Sequence, residues 1–330
     1  MFGLFGELDS KLPLLLLISY MVKIPRSYKL PLVIIFFELV GIWVLFRSGY
    51  LRNGFILNYY KSIPYVEDLI DNKEVEINAV IKDYTSKIPG DYAVYIKDLN
   101  NSKTYTFDEQ KVFNSASLYK LAILHKVYED IDSGSLNKDD LLSADKQTLD
   151  EQLSAASEEE ADQTSGSPGN EVISYTVDYA ARLMIRVSDN YAALLLADEV
   201  GWGNAQRSLE KIKILGFDLT GENAPSVNAD AVGQLLEKIY KKEAVSKQAS
   251  AQMIDILADQ RINDRIPKLL GDIKVAHKTG EFDGIRHDAG IVFGRRQDYI
   301  FVFLSQTGDP VETSNNMAVA SKEIFDILEN

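Results

Sequence analysis

Three strand-like runs near the C-terminal end constrain the fold most. They are "IKVAHKTGE" (273–281), "HDAGIVFG" (287–294) and "YIFVFLSQT" (299–307). Each is of strand length, apolar and rich in β-branched or aromatic residues. Gly294-Arg295-Arg296-Gln297-Asp298 leaves room only for a tight reversal between the last two. Two earlier runs, "DYAVYIKDL" and "KTYTFDE", read as a hairpin across Asn100-Asn101-Ser102. Helical patterns fill the middle of the chain, over 117–132, 176–187, 190–200, 204–215, 228–242 and 246–260. A helix over 74–88 precedes the first strand and another over 314–328 closes the chain. Early strands, a helical middle and late strands predict an α+β domain with an antiparallel, five-stranded sheet. First and last elements meet in that sheet, and helices flank it on both faces.

The N-terminal part differs in character. Leu12–Val22 is an apolar run too short to span a bilayer; lying on the membrane surface and forming part of a second span are its two readings. "LPLVIIFFELVGIWVLF", residues 30–46, reaches the lower edge of the spanning length. Glu38 in its middle costs roughly 2.5–3.5 kcal/mol, which the surrounding apolar residues can offset. A buried core helix is the other reading of this run. Lys23, Arg26 and Lys29 before it, against Arg47 and Arg52 after it, favour a cytoplasmic N-terminus. No small-residue cleavage site follows, so the segment reads as an uncleaved anchor. The expected organisation is a membrane anchor over 1–52, a stem over 53–73 and a folded domain over 74–330. The anchor makes a single transmembrane helix and leaves the domain extracytoplasmic.

Charge follows the same division. Residues 1–61 hold seven basic against three acidic residues, leaving 28 basic and 46 acidic in the remainder. An acidic body of this kind is a poor nucleic-acid binder, which needs clustered cations. Cysteine is absent, which excludes disulfides and a catalytic thiol. With three histidines and no HExxH pairing, no metal site or other cofactor is expected. Residues 150–170, "DEQLSAASEEEADQTSGSPGN", are acidic and then rich in Gly, Ser and Pro, and read as a mobile exposed insertion.

Three short stretches carry candidate chemistry. In "NSASLYKLAIL" (114–124), Leu118, Leu121, Ala122, Ile123, Leu124 and Val127 cover nearly a whole helix circumference, as in a buried helix. Ser117 lies in its first turn, where unpaired N–H groups and the helix dipole favour negative charge. Lys120 projects from the same face one turn later. Desolvation lowers a lysine pKa, and a neutral amine beside a hydroxyl can take its proton. The plainer reading has a serine cap and a lysine reaching for water. "VSDN" (187–190) separates two helical runs; turn chemistry alone accounts for it. "HKTGE" (277–281) ends an apolar strand, where Lys278 can meet a carboxylate and Gly280 admits a close backbone approach. Arg286 offers a second cation nearby.

S-x-x-K, S-D-N and K-T-G in this order, on a helix, an inter-helix turn and a strand, resemble the class A β-lactamase-like serine hydrolases. "YTFDEQKVFNSASLYKL" and "VAHKTGEFDGIRHDAGIVFG" extend the likeness, which covers roughly residues 74–330. The resemblance implies a β-lactamase/transpeptidase-like fold whose helices form a subdomain. It implies that Ser117 is acylated with Lys120 as base partner, and that Ser188 passes a proton to the leaving nitrogen. Asn190 would bind the substrate amide, and Lys278 and Thr279 its carboxylate, helped by Arg286. The backbone N–H groups of Ser117 and Glu281 would form the oxyanion hole. The implied partner is a β-lactam or a D-alanyl peptide of the cell wall, taken by a monomeric domain.

One part of the pattern is missing. The glutamate loop that activates the deacylating water should lie between Gly216 and Asn228. Only "FDLTGENAPSV" (217–227) fills that gap, and Glu222 has no matching surroundings. Acylation with slow release is therefore expected, closer to a penicillin-binding DD-peptidase than to an efficient β-lactamase. Two alternatives stand beside this reading. One is a Ser-His-Asp hydrolase using His277 or His287; His125 is about 12 Å along the same helix and out of reach. The other is a non-catalytic peptidoglycan-binding module.

Overall fold

The computed structural model describes residues 72–157, 171–221 and 224–330. The expected anchor, nearly all of the stem, and Glu222 lie outside the described residues. Among the described residues no helix is long and apolar enough to cross a membrane.

The folded unit begins with α1 (Asn72–Ser86), whose Ile77, Val80, Ile81 and Tyr84 recur at helical spacing on one buried face. The hairpin β1 (Gly90–Asp98) and β2 (Thr104–Phe107) follows. Asp98 Oδ1 accepts from the N–H groups of Asn100 and Asn101, and so shapes the reversal. The late strands β8 (Lys274–Phe282), β9 (Ile285–Phe293) and β10 (Tyr299–Thr307) join this pair in the order β2-β1-β10-β9-β8. Neighbours run antiparallel, with Gly90 opposite Thr307 and Lys278 opposite Ala289. The sheet expected from the sequence is present, and first and last strands meet at its centre.

Why β10 reads as an unbroken apolar run is now plain. Tyr299, Phe301 and Phe303 pack in one core with α1 and the closing helix α9 (Pro310–Glu329). Ile300, Val302 and Leu304 pack in the other core, against the helical middle. Both faces of the strand are covered, so no polar alternation survives. Helix α9 starts at Pro310 rather than near Ser314, because Asp309 caps it through Glu312 N and Pro310 begins its first turn.

The helical middle comprises α2 (Tyr119–Ser133), α3 (Lys146–Ser157), α4 (Val177–Arg186), α5 (Asn190–Val200), α6 (Trp202–Lys211), α7 (Ala229–Lys241) and α8 (Lys247–Ala258). Helix α7 lies so close to β1 that a Cβ on Gly233 would stand 2.3 Å from Tyr95 Cδ1. Helix α6 stops at Lys211, short of the expected Leu215, since Lys213 and Gly216 take positive φ. The acidic insertion is shorter than expected, because residues 150–157 belong to α3 and Leu149 is fully buried. The chain leaves β4 (Leu141–Asp145) for α3 and comes back as β5 (Val172–Thr176), which pairs antiparallel with β4. Residues 158–170 are outside the described set.

A small sheet escaped the sequence reading. Strands β3 (Phe113–Asn114), β7 (Ser226–Val227) and β6 (Phe217–Asp218) pair in the order β3-β7-β6. Each has two residues, too few to carry a period. The pairing of β6 with β7 brings the two ends of the segment 217–227 together, and Ser115 N donates to Pro225 O at 2.7 Å.

Candidate active site

Ser117 sits in a 3₁₀ turn, Ala116–Leu118, that leads directly into α2. The turn is set by Ala116, which holds φ 44° while its N–H is fixed by Asn114 Oδ1 at 2.8 Å. A non-glycine residue in that region costs on the order of 1–3 kcal/mol, offset here by the surrounding contacts. Ser115 is buried, and its hydroxyl bonds Ala116 O instead of capping the helix. Gly280 of β8 faces this turn. A Cβ there would lie 3.2 Å from Ser115 O and 3.3 Å from Ala116 Cβ, so the glycine admits the close approach that its sequence position suggested.

Lys120 projects from the first turn of α2 into the core and is fully buried. Its Nζ donates to Ser188 O at 2.7 Å, Asn190 Oδ1 at 2.7 Å and Ser188 Oγ at 3.2 Å. Burial pulls its pKa down to about 7, against the opposing charge of Asp189. Lys278 on β8 is also fully buried, and its Nζ donates to Ser188 Oγ at 3.0 Å and to Thr279 O at 2.7 Å. Burial and then the nearby Lys120 ammonium drive the Lys278 pKa well below the ordinary lysine range.

Ser188 holds φ 58° in the turn between α4 and α5. Asp189 locks that turn by capping α5 through Ala192 N at 2.8 Å. The Ser188 hydroxyl therefore accepts from two lysines and donates to Ser117 Oγ at 3.0 Å. The path from Lys120 to Ser117 runs through Ser188 Oγ, where the sequence alone suggested a direct contact. With one amine neutral, the order of donors can reverse, and a proton can pass from Ser117 through Ser188 to a lysine.

Ser117, Lys120, Ser188, Asn190 and Lys278 are thus joined by hydrogen bonds, and Thr279, buried beside Lys278, adjoins them. Arg286 is not joined to them. Its Nη1 folds back onto Ile285 O at 2.7 Å and Phe282 O at 3.4 Å, at the β8–β9 turn. The Glu281 side chain instead pairs with Arg265. Its strand, β8, is the edge of the sheet, so alternate backbone N–H groups face away from β9.

The histidines are all engaged elsewhere. His277 spends Nδ1 on Asp288 at 2.8 Å and Nε2 on Asn263 at 2.9 Å. His287 accepts from Ser305 N at Nδ1, so Nε2 carries the proton and donates to Asn114 O. Burial lowers its pKa to about 4. His125 is bonded by Ala244 O and Ser208 Oγ. No ring nitrogen is left to serve Ser117, which removes the basis for a Ser-His-Asp arrangement.

Sequence reasoning missed the layer behind Lys278. Asp288 is fully buried, and its Oδ2 accepts from Ile266 N while Oδ1 holds His277. Arg265, buried as completely, donates to the carbonyl of His287, the residue before Asp288. The available signal was polar residues inside the otherwise apolar strands "VAHKTG" and "RHDAG".

The family model described as "Beta-lactamase enzyme family" matches residues 72–328. No curated protein matches the chain. Among solved structures, PBP-A superposes with TM-score 0.64 at 22% identity, covering 79% of this chain and 97% of that one. A PBP-A mutant solved as an acyl-enzyme with penicillin G gives 0.66 at 20%, covering 77% and 96%. A class A β-lactamase from Bacteroides cellulosilyticus gives 0.66 at 19%, covering 78% and 99%. At these identities the superpositions carry the fold, while the family match spans nearly the whole described domain: the chain belongs to the β-lactamase enzyme family.

Proposed function

We propose that the protein is a membrane-anchored, extracytoplasmic serine acyl hydrolase acting on β-lactams or D-alanyl peptides. One observation carries the acyl-hydrolase part of this reading: two fully buried lysines converge on Ser188 Oγ, which bonds Ser117 Oγ at 3.0 Å. Such an arrangement destabilises both ammonium charges beside a hydroxyl at a helix N-terminus, and so activates a nucleophile. In the proposed reaction Ser117 Oγ attacks the acyl carbonyl and its proton moves through Ser188 toward Lys120. The backbone N–H groups of Ser117 and Glu281 receive the oxyanion. The carbonyl–nitrogen bond then breaks, and the nitrogen takes its proton from Ser188. Asn190 orients the substrate amide while fixing Lys120, and Lys278 with Thr279 frames the far end of the substrate.

Release of the acyl group requires water to attack the ester and return Ser117. The sequence between Gly216 and Asn228 offers no match to an activating glutamate loop; β6 and β7 pair at its two ends, and Asp218 Oδ1 accepts from Thr220 N and Gly221 N. The acyl-enzyme is therefore long-lived, as in a penicillin-binding DD-peptidase of cell-wall metabolism. In this proposal residues 1–52 anchor the chain, 53–73 form the stem and 74–330 the monomeric catalytic domain.

The test is time-resolved intact mass after adding a labelled penicillin. A Ser117-dependent adduct that forms and decays slowly supports the reading. Absence of both adduct and turnover would sink it, and rapid turnover would overturn the slow-release part. Peptidoglycan-fragment binding that survives Ser117→Ala, without any acylation of the native protein, would favour the non-catalytic module.

A further inference from the structure

Among the described residues, three cations near the Thr279 end of the site, Lys278, Arg286 and Arg265, are committed to partners within the protein. Lys278 donates to Ser188 and Thr279 O, and Arg286 folds onto the β8–β9 turn. Arg265, between α8 and β8, donates through Nε to Ser314 Oγ and through Nη1 to His287 O, each at 3.4 Å. Its Nη2 pairs with Glu281 Oε1. The two partners differ sharply in exposure. The Arg265 side chain is 0% exposed, whereas that of Glu281 is 46% exposed.

Thr279 and Glu281 stand two residues apart on β8, so their side chains leave the same face of the strand, roughly 7 Å apart. Solvent at this end of the edge strand therefore meets a carboxylate, with the guanidinium behind it. A carboxylate-bearing ligand approaching Thr279 must displace Glu281 from Arg265 or sit beside a like charge.

We infer that Glu281 is a specificity-determining residue: its carboxylate occupies the partner position on buried Arg265, so the site takes acyl donors uncharged at the Thr279 end. This rests on the proposed acylation of Ser117 and narrows its substrate class to esters, amides and other neutral groups at that position. Because Glu281 also contributes a backbone N–H to the proposed oxyanion hole, the readout is the ratio between two compounds that share the same reacting carbonyl, in which a change in that donor cancels. A unit charge about 7 Å away gives a discrimination of roughly three- to fifty-fold, depending on the effective dielectric.

The experiment compares benzylpenicillin with its methyl ester on the full-length protein. Second-order acylation rates are taken from intact mass and normalised to each compound's alkaline hydrolysis rate. The native protein should favour the ester. Glu281→Gln should raise the benzylpenicillin rate about fivefold or more relative to the ester, while Glu281→Asp keeps the native preference. A native protein that favours the acid overturns the inference, and that comparison stands even where Glu281→Gln fails to fold. An ester-to-acid ratio unmoved by Glu281→Gln overturns it as well. If neither compound labels Ser117 in the native protein, the acylation reading itself has failed, which is a separate outcome.

Discussion

The pH dependence of acylation exposes the machinery most directly. Lys120 titrates at about 7 because burial opposes its charge. A group of that pKa is about one-tenth neutral at pH 6, half at pH 7 and nine-tenths at pH 8. If the neutral amine is the proton acceptor, the acylation rate rises roughly tenfold between pH 6 and pH 8 and then levels. An ordinary lysine, near 10.4, would give a hundredfold rise over the same interval with no plateau. Both lysines bond one hydroxyl, so the observed midpoint belongs to the pair. Asp189 provides the perturbation. Its charge raises the Lys120 pKa, and its Oδ1 caps α5. Asp189→Asn keeps an oxygen for the cap and removes the charge. The midpoint then moves to lower pH, and the rate at about pH 6 increases. The assay is stopped-flow acylation with a reporter penicillin from about pH 5 to about pH 9. A rate that climbs without a plateau, or a midpoint that Asp189→Asn moves to higher pH, would refute this account of the base.

Other outcomes follow from the same geometry. Ser188→Ala removes the hydroxyl that joins both lysines to Ser117, and should slow acylation by about 10²–10⁴-fold with little change in melting temperature. Gly233→Ala places a methyl 2.3 Å from the Tyr95 ring and should cost about 1–3 kcal/mol in urea unfolding, leaving the acylation pH midpoint in place. His287 is held neutral down to about pH 4, whereas the unfolded chain takes up that proton near 6.5. The unfolded state then binds more protons between those values, so stability falls as pH drops through that window. The gap amounts to roughly 3 kcal/mol at about 1.36 kcal/mol per pH unit. Chemical unfolding at several pH values should show this slope flattening in His287→Gln.

The sequence by itself determined what depends on neighbours along the chain. The three late strands, the early hairpin and the apolar circumference of α2 are local periodicities, and each appears where its pattern lies. Ser117 and Lys120 share a face because three residues make about one helical turn. The cost of a short pattern shows in β3, β6 and β7, whose two residues each carry no period. Tertiary structure decided the rest. Ser188 meets Ser117 across 71 positions and Lys278 across 90, and only folding makes that hydroxyl the link between lysine and nucleophile. The lowered lysine pKa values arise from burial, which no local spacing encodes. Arg286 looked like the available cation from its place in the sequence. The fold instead turned it onto a hairpin and buried Arg265 behind Glu281, because an unpaired buried guanidinium costs more than a local strand position can reveal.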